Sequence, residues 1–106
     1  MSSSSPDPVV HRSAAQLAAL PAAERERFLI GLVQRRVDEV LRVIRPGAAE
    51  VVEPDRSFLS LGLDSLGTIA LHGRLSADTG LALPVTVAFD HPTPADLARH
   101  LLALLY

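Results

Sequence analysis

The most constraining feature of the sequence is the segment between Pro21 and the Pro46-Gly47 pair. Inside it, apolar residues recur at steps of three and four, which is the spacing of one face of an amphipathic helix. The segment therefore predicts a helix over 22–44. In a chain of 106 residues, such a helix must bury its apolar face against other elements of the same domain. The residues of that face are Leu29, Val33, Val37, Val40, Leu41 and Ile44.

The residues before Pro21 carry only local signals. Residues 1–12 are rich in Ser and Pro without periodicity, which is typical of a flexible linker. Ser13 and Gln16 form a capping-box pattern, which predicts a short N-terminal helix within 13–20. We expect the folded domain to cover residues 21–106.

Two further segments are predicted to be helical in the middle of the chain. A second long helix is expected to begin at Asp64 or Ser65 and to stop at Gly80, because Gly accepts the left-handed closing conformation. The segment from Val85 to Phe89 looks like a strand by propensity. Because no second strand exists to pair with it, we interpret it as a short helical turn.

The clearest helix signals lie near the C-terminus, where Thr93 is a good N-cap and Pro94 suits the first helical position. The prediction is thus an all-α fold, a small four-helix bundle. It has three main helices plus a short third helix, with a long loop between the first two helices. The apolar face of the last helix is expected to hold Leu97, Leu101, Leu104 and Leu105.

The loop over residues 45–63 is long for so small a domain, so it must be pinned or functional. Phe58, Leu59 and Leu61 are the residues expected to pin it. Phe89 is expected to anchor the short third helix in the core in the same way.

Composition excludes several classes of protein. The chain has no Cys, which excludes a disulfide framework, a thiolate metal site and a Cys nucleophile. Its four His residues show none of the spacings of a zinc site. No apolar run is long enough to span a membrane and the start resembles no secretory signal, so we expect a cytoplasmic protein without membrane contacts.

Charge is distributed unevenly along the chain. Residues 48–96 contain seven acidic residues and two Arg, a net charge of −5. This acidity argues against nucleic acid as a partner and favours basic protein surfaces.

Ser65 is the candidate functional residue, because it stands at the start of a helix directly after the long loop. The free N–H groups and the positive dipole end of a helix start favour a phosphate ester on its oxygen. From position alone, the favoured interpretation is that Asp64 and Ser65 are simple helix caps. A serine hydrolase is disfavoured, since Ser65 lies in no GxSxG motif and no spacing brings His72 or His91 to it.

These residues resemble a known family. The motif LGLDSL over 61–66, together with GLALPVTVAFDHPTPADLARHL over 80–101, is similar to the acyl carrier protein domain of a modular (type I) polyketide synthase. The stretches LPAAERERFLIGLVQRRVDEVL over 20–41 and PDRSFLSLGLDSL over 54–66 fit the first helix and long loop of that family.

The resemblance implies a carrier with no catalytic step of its own. Ser65 would carry 4′-phosphopantetheine from coenzyme A, and the thiol of that arm would hold polyketide intermediates as thioesters. The implied partners are a phosphopantetheinyl transferase, an acyltransferase, a ketosynthase and other synthase domains, with the isolated domain monomeric. A peptidyl carrier domain and a helical protein-interaction domain without the arm are the alternatives.

The helix after Ser65 has two apolar lines, and a helix at the rim of a small bundle can bury only one of them fully. Thr68, Leu71 and Leu75 form the line that fits the core. Leu66, Ile69 and Ala70 form the other line, which is expected to be exposed beside Ser65. The predicted docking residues are Asp64, Leu66 and Ile69. This helix departs from the family's pattern at Gly67, Ala70 and Gly73, and the missing Glu at position 70 puts in doubt any contact made through that carboxylate.

Overall fold

The computed structural model describes residues 19–47 and 51–106. Five helices lie within these residues, and no strand occurs among them. They are α1 (Ala22–Ile44), α2 (Phe58–Leu61), α3 (Ser65–Thr79), α4 (Val87–Asp90) and α5 (Pro94–Leu105). The predicted all-α bundle is confirmed, with α4 as its short third helix, and α2 is an additional single turn inside the long loop. The predicted linker and nearly all of the predicted N-terminal helix lie outside the described residues.

The long helix α1 forms one wall of the core and packs against both α3 and α5. Its bounds match the predicted ones, and five of the six residues of its predicted apolar face are buried. Ile44, the sixth, is partly buried and packs against the core, while Leu32 is a buried residue that the prediction did not include.

The loop between α1 and α3 is attached to the rest of the domain by backbone and side-chain contacts. The Phe58 N–H donates to the Pro92 carbonyl at 2.8 Å, and the Ala95 N–H donates to the Pro54 carbonyl at 2.8 Å. Both bonds join the loop to the segment around the start of α5. The Phe58 side chain is 2% exposed and Leu61 is fully buried, so these two predicted pins are confirmed.

Two other predicted pins are wrong, because Leu59 is 79% exposed and Phe89 is 60% exposed. Each belongs to a helix of a single turn, which has only one side to turn inwards. In α2 that side is taken by Phe58 and Leu61, and in α4 by residues 87–88.

Leu104 also departs from its prediction, since it is half-exposed. Leu97 and Leu101 are fully buried as predicted, and Leu105 is partly buried against the core. The last turn of α5 thus packs against the core through Leu102 and Leu105, which leaves Leu104 towards solvent.

An ion pair that the sequence did not indicate joins α1 to α3. Arg36 donates from Nη2 to Asp78 Oδ1 at 3.0 Å and from Nε to the other oxygen of the same carboxylate. This hydrogen bonding to Asp78 raises the pKa of Arg36, although burial opposes the change. Glu39 extends the network by pairing with both Arg36 and Arg74. The bidentate geometry fixes how α3 lies along α1.

We predict that Phe58→Ala lowers the free energy of unfolding by about 3–5 kcal/mol, because it removes a fully buried aromatic side chain. Phe89→Ala is the matched control, and we expect it to cost less than about 1 kcal/mol because its ring is mostly in water. Urea melts of the two variants measure both values. Equal losses in the two variants would contradict the conclusion that Phe58 anchors the core and Phe89 does not.

Candidate functional site

Ser65 is the first residue of α3 and its side chain is exposed. Asp64 is the N-cap, with its Oδ1 accepting from the Gly67 N–H at 2.8 Å. The other N–H groups at a helix start have no acceptor within the helix, so they remain available to a group attached at this point. The hydroxyl of Ser65 therefore stands at the positive end of the α3 dipole.

The approach to Ser65 is fixed by the end of α1 and by a left-handed glycine. Gly62 closes α2 with φ +100°, a conformation that other residues rarely adopt. The Arg45 side chain lies over Gly62 and donates to the Leu61 carbonyl at 3.0 Å. These contacts set the direction in which the chain enters α3.

Close packing explains why a glycine occupies position 67, two residues after Ser65, and the sequence alone could not show this. A Cβ at this position would lie 3.1 Å from Leu63 and 3.4 Å from Ile44, so α1 and the loop approach α3 closely here. Gly73 has open space around it, and nothing in the structure explains it.

The two apolar lines of α3 are separated as predicted. Thr68, Leu71 and Leu75 are buried, with Thr68 also donating from its hydroxyl to the Ser65 carbonyl at 2.8 Å. Leu66 is 73% exposed and Ile69 is 49% exposed, and Asp64 and Ala70 are exposed beside them. Apolar and acidic side chains thus share the surface around Ser65, which we call the α3 surface: Asp64, Leu66, Ile69 and Ala70.

A small cavity of about 150 Å³ lies beside the start of α3. Buried side chains from the loop, α3 and α4 form its floor, and three exposed residues, Leu59, Phe89 and Pro92, form its rim. The residues that line it are Phe58, Leu59, Leu63, Thr68, Ala88, Phe89 and Pro92. The lining is almost wholly apolar, so the cavity suits a hydrocarbon group.

The histidines considered as partners for Ser65 have other contacts. His72 Nε2 lies 2.7 Å from the Leu83 carbonyl oxygen. His91, just after α4, stacks on His100 of α5 with ring centroids 3.9 Å apart. His72 therefore packs against the loop before α4, and His91 packs in the connection between α4 and α5.

Residues 19–47 and 51–106 contain no cluster of three or more His, Cys, Asp or Glu residues that could hold a metal ion. Within the same residues, no helix combines the length and apolar character needed to cross a bilayer.

An exposed serine at the first residue of a helix, held by a pinned loop in a small helical bundle, is the arrangement expected of a carrier domain for a covalently bound group. Comparison with known proteins agrees with this class. Residues 32–101 match the family described as "Phosphopantetheine attachment site". The chain belongs to this family, whose members are non-catalytic carriers of covalently attached 4′-phosphopantetheine.

Similar proteins are modular polyketide synthases. The chain is 55% identical over 81% of its length to the spectinabilin polyketide synthase system protein NorA′ of Streptomyces orinoci. It is 49% identical over 87% of its length to the erythronolide synthase EryA2 of Saccharopolyspora erythraea. It spans 2% of the length of each of these relatives.

A solved structure shares the fold. The A1-type ACP domain from module 5 of MLSA1 superposes with a TM-score of 0.74 at 37% sequence identity, covering 91% of this chain and 93% of that one. The likeness therefore extends over nearly the whole carrier bundle.

The residues at the start of α3 fit the family's prosthetic group. A phosphodiester at Ser65 would meet the dipole and free N–H groups of α3, and the apolar cavity lies close by for the hydrocarbon part of the arm. The Asp64 carboxylate is occupied with the Gly67 N–H, as a cap.

The stacked histidines predict a pH-dependent stability. Burial lowers the pKa of His100 and the charge of His91 lowers it further, while the Asp90 carboxylate opposes both effects without reversing them. The unfolded chain then takes up a proton more readily than the folded chain, so this group lowers stability as pH falls from about 6.5 through its folded pKa. We expect thermal melts to show a smaller loss between about pH 7 and pH 5 for His100→Gln than for the parent chain. Identical slopes for the two proteins would contradict a role for His100.

Proposed function

We propose that this chain is an acyl carrier domain of a modular polyketide synthase, with the 4′-phosphopantetheine arm attached to Ser65. The observation that carries the proposal is the exposed hydroxyl of Ser65 at the first residue of α3, in a chain whose residues 32–101 match a phosphopantetheine-attachment family. The proposed carrier domain covers residues 21–106, and we place it in the cytoplasm as a monomer when isolated.

Attachment is a phosphoryl transfer carried out by a separate phosphopantetheinyl transferase. The Ser65 oxygen forms a bond to the phosphorus of coenzyme A that bears pantetheine, and the bond from that phosphorus to the bridging oxygen breaks. Adenosine 3′,5′-bisphosphate leaves with the bridging oxygen, and the hydroxyl proton goes to a base of the transferase. The chain itself contributes the exposed position of the hydroxyl and the favourable dipole of α3.

The arm supplies the thiol on which an acyl group is held as a thioester. The carrier presents this group to its partners, which we propose to include an acyltransferase, a ketosynthase and other synthase domains. The names of the relatives support polyketide intermediates over peptidyl ones as the cargo. A helical interaction domain without the arm is disfavoured by the family match.

We further propose that partners dock on the α3 surface. Its exposed apolar side chains have no role in the core, and its one carboxylate, Asp64, lies in the acidic half of the chain. Asp78, although it belongs to this acidic half, offers no free charge to a partner, because it is buried and paired with Arg36. Asp64 and Asp90 are exposed and can steer a basic partner.

We predict that Ser65→Ala folds normally and gains no mass on incubation with coenzyme A and a broad-specificity phosphopantetheinyl transferase. Intact-mass spectrometry measures the result. Ser60→Ala is the matched control, because Ser60 is also exposed and lies in the nearby helix α2, and it should load fully. Loading of the Ser65 variant would show that the arm attaches elsewhere.

We predict that Asp64→Asn slows arm transfer, with a larger effect at low salt than at high salt, because it removes a charge that attracts a basic partner. The amide oxygen keeps the cap on the Gly67 N–H, so thermal stability should change little. Transfer rates measured at two salt concentrations check this. A defect that is the same at both concentrations would exclude charge steering by Asp64.

We predict that Ile69→Ala weakens encounters with the transferase or a ketosynthase, seen as a higher KM, while the fold is retained. Leu104→Ala on α5 is the matched control, because Leu104 is 48% exposed and Ile69 is 49% exposed. A loss of several kcal/mol of stability in Ile69→Ala alone would show that Ile69 belongs to the core and not to the docking surface.

A further inference from the structure

The cavity beside the start of α3 has no role in the attachment reaction or in the docking surface. We propose that it holds the two methyl groups on the quaternary carbon of the pantoyl unit, so that the first part of the arm lies against the protein. This inference rests on the proposed attachment at Ser65. It concerns the arm and not its cargo.

The position of the cavity matches the reach of this part of the arm. Two of its lining residues, Leu63 and Thr68, flank Ser65 along the chain. Thr68 lies three residues beyond Ser65 on α3, a rise of about 4.5 Å. The quaternary carbon is four bonds from the Ser65 oxygen, which is roughly 5 Å at about 1.2 Å of reach per bond. The thiol is fourteen bonds away, roughly 17 Å, so an acyl group would enter only if the arm folded back on itself.

The size and lining of the cavity favour the same occupant. An apolar cavity of about 150 Å³ admits a group of about the size of benzene. A quaternary carbon with two methyl groups is smaller than benzene and fits within that space, whereas an extended polyketide is too large. The floor consists of buried apolar side chains and Thr68, whose hydroxyl is already bonded to the Ser65 carbonyl. The floor therefore favours methyl groups over the hydroxyl and amides that follow them in the arm.

The rim shows how the group would enter. Leu59, Phe89 and Pro92 are the exposed lining residues, and the first two lie on single-turn helices. This explains why two large apolar side chains that fail to anchor the core are found at this place. Covering them with the arm would remove apolar surface from water.

The experiment compares the apo and arm-loaded protein by methyl NMR, after intact mass has shown complete loading. We expect nuclear Overhauser contacts from the pantoyl methyl protons to the methyl groups of Ala88 and Thr68. We also expect the Ala88 methyl resonance to shift on loading, while that of Ala77, an exposed residue of α3 outside the cavity lining, stays in place.

Phe89→Ala, which removes part of the rim, should weaken these contacts. Val85→Ala is the matched control, because Val85 is an exposed apolar residue just before α4 that does not line the cavity, and it should leave them unchanged. Loaded protein without contacts from the pantoyl methyl groups to Ala88 and Thr68 overturns the inference. The inference is also overturned if the Ala88 methyl resonance shifts only after the thiol is acylated, because the acyl group would then occupy the cavity. A chain that takes up no arm at Ser65 would refute the proposed function instead.

Discussion

The structure depends on how the loop between α1 and α3 is held. Left free, that loop would allow the start of α3, and Ser65 with it, to move relative to α1. Two backbone hydrogen bonds, from Phe58 to Pro92 and from Ala95 to Pro54, tie the loop to the start of α5. The buried Phe58 ring fills the space beneath the loop, and Arg45 fixes its exit at Leu61. These contacts hold the start of α3, and Ser65 with it, in position relative to the rest of the fold.

The same contacts divide the surroundings of Ser65 into a packed side and an open side. On the packed side, the end of α1 approaches α3 closely enough that Gly67 has little room for a side chain. On the open side, Leu66 and Ile69 face solvent, and the apolar cavity lies beside the start of α3. A carrier must hold its arm and still release it to partners. A helix start bonded to the rest of the fold, with an apolar and accessible surface around it, meets both needs.

Much of this could be predicted from the sequence, because the helices have strong local signals. The periodicity of α1, the Gly80 stop and the Thr93 cap each depend on residues within a few positions of one another, and the helix bounds agree with the structure. The separation of α3 into a buried and an exposed line followed from helix geometry alone. Ser65 was predicted as the attachment site because the motif and the helix start coincide there, and the structure places it at the first residue of α3.

The rest depended on contacts between residues far apart in the chain. Leu59 and Phe89 read as core residues because they are large and apolar, but a single helical turn buries only one side, and the sequence does not say which. The Arg36–Asp78 pair joins residues 42 positions apart, and nothing local marks either one as the other's partner. The close approach that explains Gly67 likewise appears only when α1 and α3 are packed together.

The central claim is that the loop is bonded to the start of α5 and thereby holds Ser65 in place. Native-state hydrogen exchange at the Phe58 and Ala95 amides tests it most directly. The account predicts that both amides exchange as slowly as those of the buried part of α1, because each donates to a carbonyl at 2.8 Å. Exchange of both at the rate of an open loop, while α1 remains protected, would contradict it.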